Sequence, residues 1–508
     1  MLGIFSKKSD HPLADLKTAQ HILDGIQKND ALNSVQELSG WIESIVELAD
    51  DFRLDHEFSV LRMLDEAAQP YVRKLLRDYF TIQPLSKFQE NRLWTVLNEY
   101  YKWSEIAHHD ILTRFRNGGK GASGIKSELA TLGARGIAAL SGRLKLATAR
   151  YALVEPMLWG HLADFYSHAE INGYQNDTAT WYSGVPGGTT VKQEFSVLLV
   201  WYGVSAGNQS PLQEHISERL VAHVGKGLSV NNEFDGERLF VFDMAQPTPP
   251  MRATAEFTVH PSMRFLGTSD ALNPLNGLLK TLEKGIVPDN LSFFGGSYEP
   301  ELVREILRLL IDNLIQPPTR RNPRRKINVN LRVTSGFYMI VAQTDLGVDF
   351  TQDAEDVWEV EDISTTGFRS VVPASRADGI KIGSLIGSRP ENVTFWGAGI
   401  VRRLSRDANN NLHIGVEVLS SQIVGVSLTD RIHNIGDEAQ VAMYLSRPAD
   451  TSGEAWLLMK PDAFSMNRSL NMDMGEKNYL LMPLELVESG DDYDLARYRL
   501  MQQDETAE

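Results

Sequence analysis

Residues 320–333 read RRNPRRKINVNLRV. The first seven positions hold five cations, Arg320, Arg321, Arg324, Arg325 and Lys326. The rest alternates, with Ile327, Val329, Leu331 and Val333 at every second place, the period of a strand with one buried face. Just upstream, EPELVREILRLLIDNLI repeats its apolar residues at three- and four-residue spacing and stops at Pro317 and Pro318, a helix followed by its breaker. Here the chain changes from helical to β period. The same stretch concentrates positive charge in a chain with 66 acidic residues against 50 basic ones and a formal charge of −16.

Downstream, KINVNLRV, GFYMIVAQT, WEVEDI, FRSVV, AGIVRRL and LHIGVEVL are short, rich in β-branched or aromatic residues and parted by Gly, Asn or Asp turns. DANNNL between the last two is a hairpin signal. Strands of this length and spacing predict a small closed barrel. A second β-rich run, AQVAMYLS, AWLLMK and YLLMPLELVE, continues to about residue 489. The acidic end, MQQDETAE, reads as a disordered tail.

Upstream, residues 13–172 are helical in pattern, as in LADLKTAQHILDGIQKND and SVQELSGWIESIVELAD. Pro70 predicts a break or a new first turn, and NGGKGASG at 117–124 an interruption. Successive helical hairpins with short loops follow from this. Between 190 and 316 the reading is mixed: FSVLLVWYGV and RLFVFDM as strands, PLQEHISERLVAHVG and ALNPLNGLLKTLEKG as helices. The expected fold is multidomain α plus β. It has a helical region over 1–172, a mixed helix/strand region over 173–316, a β-barrel with its arginine linker over 317–425, a β-rich region over 426–489 and an acidic tail over 490–508.

Composition narrows the function. The 508 residues are 42% hydrophobic and 23% charged, as in ordinary folded proteins, and include no cysteine. Disulfides, thiol catalysis and Cys-ligated metals are therefore excluded. MLGIFSKKSD places its apolar residues before its lysines, the reverse of a signal peptide, and no apolar run reaches the length of a membrane span. The expected location is cytoplasmic. An acidic chain lacks the broad basic face that nucleic acid requires.

Two motifs carry chemistry. In the cationic cluster, 320/324 and 321/325 are both four apart, so two arginines can face one ligand from a single turn or bend. Arginine's planar fork makes paired hydrogen bonds to phosphate and to the O6/N7 edge of guanine. Standing alone, such a run is more often a solvated basic linker or a patch for an acidic partner surface. The second motif is VEDISTTGFRSV, which contains D-x-S-x-x-G as Asp362, Ser364 and Gly367 at a strand end. Alternation puts Asp362 and Ser364 on one side of the strand. The carboxylate can accept from a purine's amino and imino groups, and the hydroxyl can donate and accept. Gly367 permits positive φ and a close ligand approach. An ordinary capped turn is the bland reading of that hexapeptide taken alone.

An R-x-x-x-R linker, then D-x-S-x-x-G, then GIVRRL and LHIGVEVL resembles the PilZ domain, the cyclic di-GMP receptor module of bacteria, over about residues 319–425. RRNPRRKINVNLRV is similar to that family's arginine segment and first strand, IKIGSLIGSR to its glycine-bearing segment and IGVEV to its closing strand. The resemblance implies a six-stranded antiparallel barrel. It implies that Arg320 and Arg324, or Arg321 and Arg325 in the other register, grip guanines and phosphates of cyclic di-GMP. Asp362 and Ser364 would hold a guanine edge, with Gly367 making room.

Other candidates are weaker. EIAHHD sets Glu105 and His108 at E-x-x-H spacing without a second copy, and HLADFYSHAE offers His161 and His168 without a matching acid. These read as core, as do the tryptophans at 41, 94, 103 and 159. GGKGASG and HVGKGLS do not fit a phosphate loop. With no recognisable nucleophile or metal site, the expectation is a non-enzymatic cyclic di-GMP receptor with no cofactor and no metal. Ligand binding would order the arginine linker, change the inter-domain arrangement and signal to an unidentified protein partner through the helical region. The alternative is a scaffold protein whose barrel binds no nucleotide.

Overall fold

Short polar side chains set where the helices begin. Asp15 accepts from Thr18 N ahead of α1 (Leu16–Gly25), and Asp30 accepts from Asn33 N ahead of α2 (Ala31–Glu47). Ser86 and Gln89 form a reciprocal capping box at α4 (Lys87–Arg116), the helix that follows α3 (Leu54–Thr81). After the short α5 (Ala122–Ile125) come α6 (Leu129–Thr148) and α7 (Pro156–Ile171), the latter with proline at its first position, where the missing N–H costs nothing. Thr190 caps α8 (Val191–Ser205), and α9 (Pro211–His223), α10 (Ser269–Leu282) and α11 (Pro300–Ile315) complete this part. A small sheet of β1 (Ser229–Asn231), β2 (Phe240–Asp243), β3 (Met251–Arg252) and β4 (Met263–Gly267), ordered β1-β4-β2-β3, lies among the later helices in the chain.

The structure, a computed structural model, describes residues 10–81, 85–182, 187–234, 236, 239–253, 258–286, 298–315, 323–344, 356–430, 439–446, 453–474 and 477–503. It divides into two units. One comprises Met1–Arg150, Val154–Ala206 and Pro211–Thr319, the other Tyr151–Leu153, Gly207–Ser210 and Arg320–Glu508. In the first, one apolar core runs from Leu13 to Leu314. It continues across residue 172, where a loop-like composition had suggested the end of a unit.

The second unit holds two closed six-stranded antiparallel barrels. The first is built from β5 (Arg325–Ser335), β6 (Asp356–Ser364), β7 (Gly367–Pro373), β8 (Leu385–Pro390), β9 (Gly397–Arg406) and β10 (Asn411–Ser420). Its interior is filled by Leu331, Trp358, Val360, Phe368, Leu404 and Ile414, the inward residues of alternating strands. The second uses β11 (Gln422–Asp430), β12 (Gln440–Ser446), β13 (Glu454–Met459), β14 (Leu470–Met474), β15 (Lys477–Ser489) and β16 (Asp494–Gln502). Counting strands from one to six within each barrel, both pair 1 with 2 and 4, 3 with 2 and 6, and 5 with 4 and 6. The two barrels share one topology. A separate apolar cluster including Phe337, Ile340, Trp396, Ile423, Met443 and Tyr493 joins them.

The structure departs from the sequence reading in four elements. Pro70 lies inside α3, which runs unbroken for 28 residues because Leu64, Ala68, Val72 and Leu75 bury on both sides of it. FSVLLVWYGV is α8, not a strand. Phe195, Leu198, Leu199 and Trp201 are all buried, and a segment apolar on every side shows no period to separate helix from strand. GFYMIVAQT is not a strand either. Phe337–Val341 forms the short helix α12, whose Phe337 and Ile340 enter the cluster between the barrels. The stretch expected as an acidic tail supplies β16, whose Leu495, Ala496 and Tyr498 are buried in the second barrel and its joint. Among the described residues, no helix is long and apolar enough to cross a membrane.

Candidate functional site

Arg324 immediately precedes β5, and β5 pairs with β6 so that Lys326 faces Asp362 and Arg325 faces Ile363. This register brings the arginine segment alongside the D-x-S-x-x-G hairpin. Arg324 Nη1 donates to Asp362 Oδ1 at 2.9 Å, with the arginine side chain 40% and the aspartate 17% exposed. Two residues on, β6 and β7 close a tight hairpin over Thr365 and Thr366, with Ser364 opposite Gly367 and Ser364 Oγ donating to Gly367 O at 3.1 Å. Asp362 and Ser364 are half-buried, while Ile363 between them is exposed, as alternation requires.

The positive φ expected at Gly367 is not what requires a glycine there. Its φ is not positive. A Cβ there would overlap the Val416 carbonyl oxygen of β10, so the residue lets β7 and β10 approach. Arg325 and Lys326 are exposed at the start of β5. Arg320 and Arg321 lie outside the described residues, so of the two R-x-x-x-R registers the structure places only Arg324 and Arg325.

Residues 17–230 match the family model described as "Cyclic-di-GMP receptor FimW, N-terminal domain". The match covers α1 to β1, less than half of the chain, and neither barrel. No curated protein matches the chain.

Beside the hairpin lies a network that the sequence reading missed. A register shift after Val360 sets Asp362 opposite Arg369. Arg369 Nε pairs with Glu361 at 2.9 Å. His413 Nδ1 lies 2.9 Å from Arg369 Nη2 and 3.1 Å from Glu361 Oε2, and its Nε2 faces Asp407 Oδ2 at 3.3 Å. Backbone and side-chain donors of Asn411 hold the Asp407 carboxyl below its usual range, with His413 adding to them. Arg369 is two places beyond Gly367 in the quoted motif, so spacing was the available signal. Nothing in the sequence alone brings His413 to it.

The weaker candidates resolve into packing. Glu105, fully buried, accepts from Arg143 at 2.7 Å and meets His161 Nδ1 at 2.5 Å. Burial opposes its ionisation, but His161 and Arg143 outweigh that and hold its carboxyl below the usual range. His161 thus has the acid that its own segment lacks. Trp159 is in the core, and Trp41, Trp94 and Trp103 pack against it partly buried. Among the described residues no group of three or more His, Asp or Glu is placed to hold a metal ion.

Proposed function

We propose that the protein is a cyclic di-GMP receptor whose ligand binds at a PilZ-type site on the first barrel. The observation that carries this reading is the 2.9 Å contact of Arg324 with Asp362 beside the Ser364–Gly367 turn. It assembles, in one place, an arginine fork for phosphate or guanine O6/N7 and a carboxylate for the guanine N1/N2 edge. The match of residues 17–230 to a cyclic-di-GMP receptor's N-terminal domain supports it from a separate part of the chain.

In the free protein each of these groups stands in for the other's ligand. Asp362 supplies the negative charge that a ligand phosphate would bring to Arg324. An ion pair this exposed is worth at most about 1 kcal/mol, so exchanging it for the dianion is not opposed by a strong internal contact. Either Arg320 with Arg324 or Arg321 with Arg325 completes the grip, and the Arg324 contact favours the first register. Ligand held between the segment at 320–326 and the barrel then constrains the chain that joins α11 to β5. The readout is a change in the helical region's engagement of a protein partner, with no reaction catalysed.

Isothermal titration of cyclic di-GMP into the full chain tests the reading. Micromolar or tighter binding is expected, weakened about ten- to hundredfold by Arg324→Ala and by Asp362→Ala, since charged hydrogen bonds are worth about 1.5–3 kcal/mol. Absence of binding by titration and by equilibrium dialysis would leave the barrel a scaffold.

A further inference from the structure

The guanidinium of Arg369 takes no part in the ligand site described above, yet it stands next to it. On β7, Phe368 and Ser370 are buried, so Arg369 between them lies on the outer face of the first barrel, its side chain 41% exposed. Its cross-strand partner on β6 is Asp362, and such partners project to the same face with Cβ atoms about 4.5–5.5 Å apart. The carboxylate of the proposed site and this guanidinium therefore sit side by side. A β-bulge sets the alignment. Val360 pairs with Ser370 and Asp362 with Arg369, which leaves Glu361 as the extra residue of β6. Glu361 and Asp362, adjacent in sequence, thus both reach the outer face, where one meets Arg369 and the other Arg324.

Arg369 is held along one edge. Its Nε lies 2.9 Å from Glu361 and its Nη2 2.9 Å from His413 Nδ1. His413 is braced in turn, with Nε2 3.3 Å from Asp407 Oδ2. A guanidinium has five N–H donors in a fixed fork. These contacts engage the Nε/Nη2 edge, and among the described residues Nη1 has no partner, so the end of the fork is open. The fold does not demand the arrangement. In the second barrel, whose strands pair in the same way, the residue two places before the end of the second strand is Tyr444, and it faces Leu457.

We propose that Arg369 is a base-reading residue, which with Asp362 selects guanine over adenine, and that Glu361 and His413 are its positioning residues. The proposal rests on the cyclic di-GMP reading of the first barrel. Guanine presents N1–H and N2–H donors beside the O6 acceptor, whereas adenine places an amino donor where guanine has O6. A carboxylate alone separates the two bases poorly, because the adenine amino group also donates to it. The open fork of Arg369 supplies the missing discrimination, since O6 accepts from it and the adenine amino group opposes it with a like donor. Arg324, released from Asp362 by the ligand, is then left for a phosphate, which every cyclic dinucleotide carries.

The test is titration of the full chain and its variants with cyclic di-GMP, and with cyclic di-AMP read by competition. The wild type should prefer cyclic di-GMP by about a hundredfold or more. Arg369→Met should weaken cyclic di-GMP about tenfold or more and leave cyclic di-AMP within about twofold, so that the preference narrows by the same factor, in a protein of unchanged circular dichroism. Arg369→Lys keeps the charge without the fork and should narrow the preference in the same direction. Glu361→Gln removes a support and not the base contact, and should narrow it only about two- to fivefold. A wild type that binds no cyclic di-GMP overturns the receptor reading itself. The role of Arg369 alone is overturned if Arg324→Ala weakens cyclic di-GMP while both Arg369 variants bind it as the wild type does. It is overturned equally if they weaken both nucleotides by one factor, since Arg369 would then serve the phosphates or the fold.

Discussion

The two barrels of the second unit have six strands each and the same pairing, yet among the described residues only the first carries the arginine and D-x-S-x-x-G groups proposed here to hold cyclic di-GMP. The comparison can be made position by position. Arg324 stands immediately before the first strand of one barrel, and Ser421 immediately before the first strand of the other. Second strands end in Ser364 and Ser446, but two residues earlier stand Asp362 and Tyr444. Third strands open with Gly367 and with Glu454. Topology is thus common to both, and the candidate site is a set of three or four side chains laid on one of them. The second barrel, joined to the first through the Phe337, Trp396 and Tyr493 cluster, reads as a structural repeat that braces it.

The difference at the third strand makes the strongest prediction. Gly367→Ala must displace the backbone of β10 and should cost about 1–3 kcal/mol, whereas Glu454→Ala at the matching place should stay within about 0.5 kcal/mol. Urea unfolding of the full chain compares them, and equal effects would mean that the two hairpins are built alike. A smaller effect belongs to the joint. Arg402 on β9 makes a two-pronged pair with Glu488 on β15, both bonds 2.6 Å, and also reaches Glu417. Because these groups are partly solvated, Arg402→Met should cost only about 1 kcal/mol. Burial opposes ionisation of Glu488, but Arg402 and the Tyr493 hydroxyl outweigh it and hold its carboxyl below the usual range. A depressed carboxyl stabilises the fold above its unfolded pKa and loses that contribution as pH falls through the folded value. Acidification below about pH 4.5 should therefore weaken the joint in the wild type and have less effect in Arg402→Met.

Much of this architecture was legible in period and turn residues. The strands of both barrels show alternation because each has one face inward, and Pro317 and Pro318 mark the change of period. What failed was local pattern where burial is complete or where a long-range partner decides. Neither α8, apolar all round, nor α12, five residues inside a joint, has a solvent face to reveal its period. The acidic composition around β16 concealed the inward Leu495 and Tyr498. At the candidate site, Asp362, Ser364 and Arg324 were readable as a motif. His413 and the Val416 carbonyl that forbids a side chain at Gly367 come from β10, about fifty residues away, and no spacing rule reaches them.

Hydrogen exchange of the full chain with and without cyclic di-GMP tests most directly that one barrel of a matched pair holds the ligand. Protection is predicted in peptides covering residues 323–326 and 362–369, with residues 422–502 unchanged apart from the joint. Protection centred on the second barrel, or none in either, would contradict the account.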